Sequence, residues 1–405
     1  MRTAMLHSLL TAPSSGKTWR TRVELYQGVQ AVRGLATAWR ELERAADHCT
    51  PFQTWQWTRA WLRTLRPQGA EPLALLARNE DGEALALMPL QRDRHAGMRR
   101  LIWLGTPTLQ YGGLLMRPMP RREARSVVEA LWDVLRDLRA DYVDLPLMTW
   151  LDPGMELLTE RERETPHNFS WRVDLSTFAD WRAFELALKP SARRARKKRL
   201  NRLLREGEVA FVVREAQAAP TELLDTALEW KRGWLRAQGL MDSEPMREEF
   251  APFLHALAVA ETRVENTAHG RWLMAELRLD GKPLAVDFGM VLNGVFHSFF
   301  AAYDPDHAHR SPGKVALWLT LRWCMENGIS SYDMLANPAP YKQDWANMEV
   351  PLWRTVRPLG ASGVAYRLWA RRFSRRARQM HAALPAPVKS LVRKALAPLR
   401  SGHGA

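Results

Sequence analysis

The sequence predicts an α/β protein built from two similar units in tandem, followed by a basic helical tail. Three observations carry this. Two apolar runs are each folded back on an Asp-Gly pair, Leu73 to Leu90 around Asp81-Gly82 and Trp272 to Gly289 around Asp280-Gly281. Asp-Gly between alternating apolar runs is a strong hairpin signal, because both central residues of such a turn tolerate left-handed backbone. Each hairpin is followed by a helical segment containing Ala-Leu-Trp, at 130–132 and 316–318, and then by a short strand, Tyr142-Val-Asp-Leu145 or Tyr332-Asp-Met-Leu335. Two like units account for 405 residues better than one large sheet.

Taken in order, Pro51-Phe52-Gln53-Thr54-Trp55 leads into a short helix carrying Trp55, Trp57 and Trp61. Indoles stack on sugars, but ordinary core packing is the larger expectation for them. After the first hairpin come Gly105 to Gly113 and a helix over Arg122 to Arg139. Trp150 to Pro166 reads as a polar connection, and Trp171 to Leu175 as a strand. A helical segment runs from Trp181 to Glu206, interrupted at Lys189-Pro190 and stopped by Gly207. Another helix covers Thr221 to Gln238, and the second hairpin leads to a helix over Val315 to Asn327.

The net charge of +15 is concentrated in two places. Lys189 to Arg205 holds nine Lys/Arg and no acid, and Ala361 to Ala405 holds ten and no acid. Such runs attract phosphates of any source: nucleic acid, anionic lipid or a charged substrate. For the first run, a solvated face, an anionic-acceptor or tRNA site, and a membrane surface stay open. The tail, with Trp369 and Phe373 among arginines, reads as an interfacial amphipathic helix, with solvated disorder as the alternative. No run is apolar enough to span a bilayer, and the patch in Met1 to Lys17 is too short and polar for a signal peptide. Cys49 and Cys324 are isolated, which argues against a disulfide framework or zinc site and suits a cytoplasmic protein.

The most informative stretch is Arg310-Ser-Pro-Gly313-Lys314, a basic glycine turn between a strand and a helix. That order brings free backbone N–H groups and a cation to a helix N-terminus, where a pyrophosphate can sit. The first unit lacks a cation at its corresponding stretch, so one donor site per chain is expected.

Together these residues resemble the GNAT-fold acyltransferases of the CelD-like type, found with polysaccharide biosynthesis and related to the FemABX peptidyltransferases. The resemblance rests on Pro51 to Trp55, the basic Ser191-to-Gly207 helix, Ser311-Pro312-Gly313, Tyr332-Asp333 and Pro340-Tyr341-Lys342, and covers roughly residues 20 to 360. It implies tandem GNAT-like domains, each a mixed, mostly antiparallel sheet flanked by helices. These would be an N-terminal domain over 20–165 degenerate for cofactor binding, an acyltransferase domain over 166–360 and the tail over 361–405. The GNAT pyrophosphate pattern, Gln/Arg-x-x-Gly-x-Gly/Ala, is kept at Arg310 and Gly313 and departs from the pattern at Val315. The family also places a glycine where this chain has Ala336-Asn337-Pro338-Ala339.

Acyl transfer from a thioester needs a positioned nucleophile, a base and a donor to the developing oxyanion. Asp287, set among apolar neighbours, is the first candidate for the base, with Tyr303 and Tyr341 as polar assistants. Arg310, Ser311, Gly313 and Lys314 would hold the donor, acetyl-CoA or another acyl-CoA. Asp333, Lys342 and His297 would contact the acceptor, a sugar or lipid-linked glycan. The expected activity is N- or O-acylation of a sugar or amino-sugar intermediate of cell-surface polysaccharide, in the cytoplasm and peripherally at the inner membrane. An aminoacyl-tRNA-dependent transferase and a non-catalytic component of a membrane-associated assembly complex are the alternatives.

Overall fold

The computed structural model describes residues 21–149, 157–158, 166–260, 270–336 and 340–368. The tail helices expected beyond residue 368 lie outside the described residues.

The first hairpin forms as β2 (Glu71–Arg78) and β3 (Ala84–His95), and the second as β9 (Arg271–Leu279) and β10 (Lys282–Leu292). In the second, Asp280 and Gly281 both have positive φ, 50° and 74°, the backbone that a two-residue turn between twisted strands requires. Each hairpin continues into a third strand, β4 (Met98–Trp103) or β11 (Val295–Tyr303). A helix follows in each case: α4 (Arg121–Asp137), or α9 (Pro312–Glu326). The parallel strands β6 (Tyr142–Thr149) and β12 (Ser331–Asp333) close the units. Edge strands β1 (Arg22–Gln27) and β8 (Val209–Glu215) pair with β2 and β9, and the short β5 (Leu115–Met116) pairs with β3.

The two units share one sheet. Its order is β1-β2-β3-β4-β6-β13-β7-β12-β11-β10-β9-β8, where β7 is Asn168–Asp174 and β13 is Met348–Pro358. The strand that follows the first unit, β7, pairs with β12 of the second, while β13 crosses back to β6 of the first. The two exchanged strands pair with each other at the centre. Each is fastened by a buried carboxylate: Asp144 on β6 grips Arg354 of β13 through two hydrogen bonds of 2.6 and 2.7 Å, and Asp333 on β12 holds Arg172 of β7 at 2.8 Å. By register it is Asp144, opposite Ile102, that answers to Asp333, opposite His297.

Helices cover both faces. Before the first hairpin lie α1 (Val29–Arg33), α2 (Ala36–Ala45) and α3 (Trp55–Arg63). The second unit adds α5 (Trp181–Ala187), α6 (Pro190–Glu206), α7 (Thr221–Ala237), α8 (Phe250–Ala258) and the short α10 (Pro340–Gln343). The α5–α6 break falls at Lys189-Pro190, as the proline requires. Trp55, Trp57 and Trp61 are buried in the core joining the units, where Trp57 meets Phe253 and Phe299 edge-on; they are packing residues, not a sugar platform.

The basic helix α6 has no acid before Glu206 and many like charges one turn apart, an arrangement that disfavours an isolated helix. Tertiary contacts hold it. Leu203 is buried, and the Arg196 guanidinium lies 3.8 Å from the Trp345 ring centroid and 5.2 Å from that of Trp318. Desolvated cation–π contacts contribute about 2 kcal/mol or more. Arg196→Ala is therefore expected to destabilise the protein by about that amount and to open α6 to proteolysis, as urea melts and limited digestion would read.

Candidate active site

The second unit contains a fork. Strands β11 and β12 pair only over Val295–His297 and Ser331–Asp333; β11 then runs on to Tyr303, whereas β12 ends. In the first unit the equivalent space is occupied by the chain itself. Gly112 bridges to Met148 and donates its amide to the Leu147 carbonyl at 3.0 Å. A Cβ on Gly112 would lie 2.2 Å from the Trp103 ring, so only glycine lets the segment settle there. No such bridge fills the β11–β12 fork among the described residues.

At the apex of the open fork sits Asp287, buried on β10. Its Oδ2 accepts from the Tyr332 hydroxyl at 2.5 Å and its Oδ1 from the Ser298 hydroxyl at 2.7 Å. Burial pushes its carboxyl up to about 6, and the two hydroxyl donors pull the other way. Ser298 follows immediately on the last paired residue of β11 and is only half-buried, so it links the hidden carboxylate to the open side. Tyr341 on α10 is 46% exposed; burial first, and then the Asp287 carboxylate, push its hydroxyl up.

Asp333 and His297 point elsewhere. Asp333 is fully buried, and its oxygens are taken up by Arg172, the Tyr111 hydroxyl at 2.8 Å, Ser170 at 3.1 Å and the Leu335 amide at 2.8 Å. Arg172 and its other partners outweigh burial and hold the carboxyl below its usual range. His297 is buried beside it, and burial lowers the imidazole to about 4, so it is neutral at physiological pH. Lys342 gives its ammonium to the carbonyls of Met334, Leu335 and Ala336 at 2.6, 3.2 and 3.1 Å, capping the turn after β12; burial lowers it to about 8.

The basic turn lies at the end of β11. Ser311 adopts left-handed backbone (φ 56°) at the N-cap of α9, and Gly313 packs against the Tyr303 ring, 3.2 Å from where a Cβ would stand. Pro312 has no N–H, and the amides of Lys314 and Val315 both turn back to the Ser311 carbonyl. That leaves the Gly313 amide as the open donor of the first turn. Arg310 is ion-paired with Glu206 of α6, and Arg202 donates to the His309 carbonyl at 3.1 Å. Lys314 is exposed. Val315, the departure from the glycine pattern, is buried with Leu203 and Leu277, so that position serves the packing of α6.

The structure thus gathers Asp287 and Tyr341 at the fork, with Tyr303, Ser311, Gly313 and Lys314 at the turn beyond it, and sets Asp333, His297 and Lys342 into its frame. Ser298 and Tyr332 were not singled out as site residues by sequence. Ser298 had a readable signal, a hydroxyl amid the aromatics of β11.

A family model described as Acetyltransferase (GNAT) domain matches residues 190–343, from the start of α6 to the end of α10. This segment is a GNAT acyltransferase domain. The chain is accordingly an acyltransferase. The GNAT domain contains the fork, Asp287 and the Arg310 turn. Among the solved structures that share the fold are two with TM-scores of 0.50 or more. FemX is 9% identical, with a TM-score of 0.53 over 82% of this chain and 98% of that one. The C-terminal DUF2156 domain assigned to a lysylphosphatidylglycerol synthetase of Agrobacterium fabrum is 15% identical, with a TM-score of 0.50 over 82% of this chain and 95% of that one. No curated protein sequence matches the chain.

Proposed function

We propose that the GNAT domain transfers an acyl group, most simply acetyl, from acyl-CoA to a nitrogen or oxygen of a sugar or amino-sugar intermediate of cell-surface polysaccharide, in the manner of the CelD-like type. The observation that supports it is the open fork, with a basic helix N-terminus at one end and a buried, raised carboxylate at its apex. The donor thioester lies along the free stretch of β11, its phosphates toward Gly313, Lys314 and Arg310. The acceptor attacks the thioester carbon, and Asp287 takes the acceptor's proton through the Ser298 hydroxyl. The carbon–sulfur bond breaks, and Tyr341 or Tyr303 supplies the proton that the leaving thiolate takes. Asp333, His297 and Lys342 shape the floor on which the acceptor rests. The first unit, over 20–165, binds no donor because its fork is filled. The protein works in the cytoplasm, with the tail over 361–405 resting on the inner membrane.

Acetyl-CoA is expected to raise the melting temperature of the full chain, equivalent to about 2.7 kcal/mol at a hundredfold excess over its Kd. Absence of any shift with acetyl-CoA and with longer acyl-CoAs would remove this reading. A second reading, an aminoacyl-tRNA-dependent transferase, is favoured by α6 alone. Arg194, Lys198 and Arg205 form no ion pair among the described residues and line a shallow groove of about 610 Å³. Steeply salt-dependent tRNA binding, in place of the acyl-CoA shift, would select it.

A further inference from the structure

One cation near the fork has no use in that scheme. Lys231, on the face of α7 that packs over β11, is half-buried. Burial lowers its ammonium, and among the described residues no carboxylate offsets this. Its hydrogen bond to protein is a long one, 3.4 Å to the carbonyl of Ala301. Ala301 lies on the stretch of β11 that has already parted from β12, so Lys231 reaches the free arm of the fork. The acids and bases around it are otherwise committed. On its own helix Glu229 pairs with Arg232 and Arg236, and from the other side Lys342, close enough to be felt electrostatically, spends its three protons on carbonyls.

The two ammonium groups thus feel each other at this arm of the fork, and Lys231 has no ion pair among the described residues. A half-buried cation whose contacts are a long hydrogen bond and an indole face gains from an anionic partner. One turn of α7 further on, Trp234 is 42% exposed, its ring centroid 5.2 Å from the Lys231 Nζ. An exposed indole beside a cation offers an apolar plate and an anion contact side by side, which suits the ring of a charged sugar.

We propose that Lys231 and Trp234 form an acceptor subsite that selects an anionic sugar, Lys231 pairing with a phosphate or carboxylate while Trp234 stacks on the ring. This rests on the acyltransferase reading of the fork and names the class of acceptor it takes. Lys231 acts by binding, not by moving a proton.

The test is isothermal titration calorimetry on the full chain with three probes: glucosamine 6-phosphate, glucuronate and glucosamine, each with and without acetyl-CoA. The wild type is expected to bind at least one anionic probe tenfold or more tightly than glucosamine. K231Q is expected to abolish that preference, W234A to weaken every sugar probe about equally, and K282Q, at the exposed start of β10, to change nothing. Which anionic probe wins distinguishes phosphate from carboxylate. Equal binding of charged and neutral sugars, no binding of any, or an intact preference in K231Q overturns the proposal. Failure of the acyltransferase reading would be seen separately, as loss of heat with acetyl-CoA itself.

Discussion

Asp287→Asn is expected to lower kcat by about 10²–10⁴-fold, the usual reach of a general base, while leaving acetyl-CoA binding in place. The acid limb of the wild-type profile should fall with an apparent pKa near 6, since only the ionised carboxyl can accept a proton and burial holds it there. Tyr332→Phe sharpens the test. The tyrosine hydroxyl donates to Asp287 and so stabilises its charged form. Removing it should move the acid limb to higher pH without abolishing activity. Stability should respond in the opposite sense to activity. A carboxyl raised above its unfolded value weakens folding as pH rises from the ordinary carboxylate range to about 6, and the deficit is complete above that. Asn at 287 carries no such deficit and can still serve Tyr332 and Ser298. At pH 7 the inactive variant should therefore melt no lower than wild type. A profile with no inflection near pH 6, or an active Asn variant, would show that the base is another group.

Asp333→Asn should destabilise the protein where Asp287→Asn does not. Replacing this carboxylate leaves Arg172 buried beside Tyr111 and Ser170 without its counter-charge. Breaking a buried pair on one side costs roughly 3–5 kcal/mol. The loss falls at the join of the exchanged strand β7 with β12, so both halves of the sheet are expected to melt together. Urea denaturation measures it, and Arg172→Met in the same chain should recover part of the loss, because no charge is then left unpaired. The pH dependence follows from the depressed carboxyl. Its contribution is present above the ordinary carboxylate range and lost as pH falls through the lower folded value. If Asp333→Asn keeps its stability but loses acceptor affinity, the residue belongs to the substrate and not to the frame.

Much of this was legible along the chain. The hairpins showed because Asp-Gly turns and alternating apolar residues are local signals, and the break at Lys189-Pro190 showed because proline constrains its neighbour. Asp287 stood out as a carboxylate in an apolar strand. The strand β13 did not show: Pro351 lies inside it, and a proline normally argues for an edge, yet β13 is central. Arg172, Ser170 and Tyr111 read as an ordinary strand arginine, serine and loop tyrosine. Nothing near them in sequence says that all three converge on Asp333. Lys231 was hidden for a similar reason, since a lysine on an amphipathic helix is normally a solvated one.

Legible along the chain were the repeat, the hairpins and the helices and short strands that follow them, the basic turn before α9 and the carboxylate at 287. These depend on turn chemistry, side-chain periodicity and composition, which act over a few residues. Packing has the units trade a strand, fills the first fork with Gly112 while the second stays open among the described residues, and sets Asp333 and Lys342 into the frame. Packing also pairs Arg310 with Glu206 and leaves Lys231 without an ion pair among the described residues. Those are questions of which distant groups meet once the chain is packed, and burial then sets how strongly each charge must be paired.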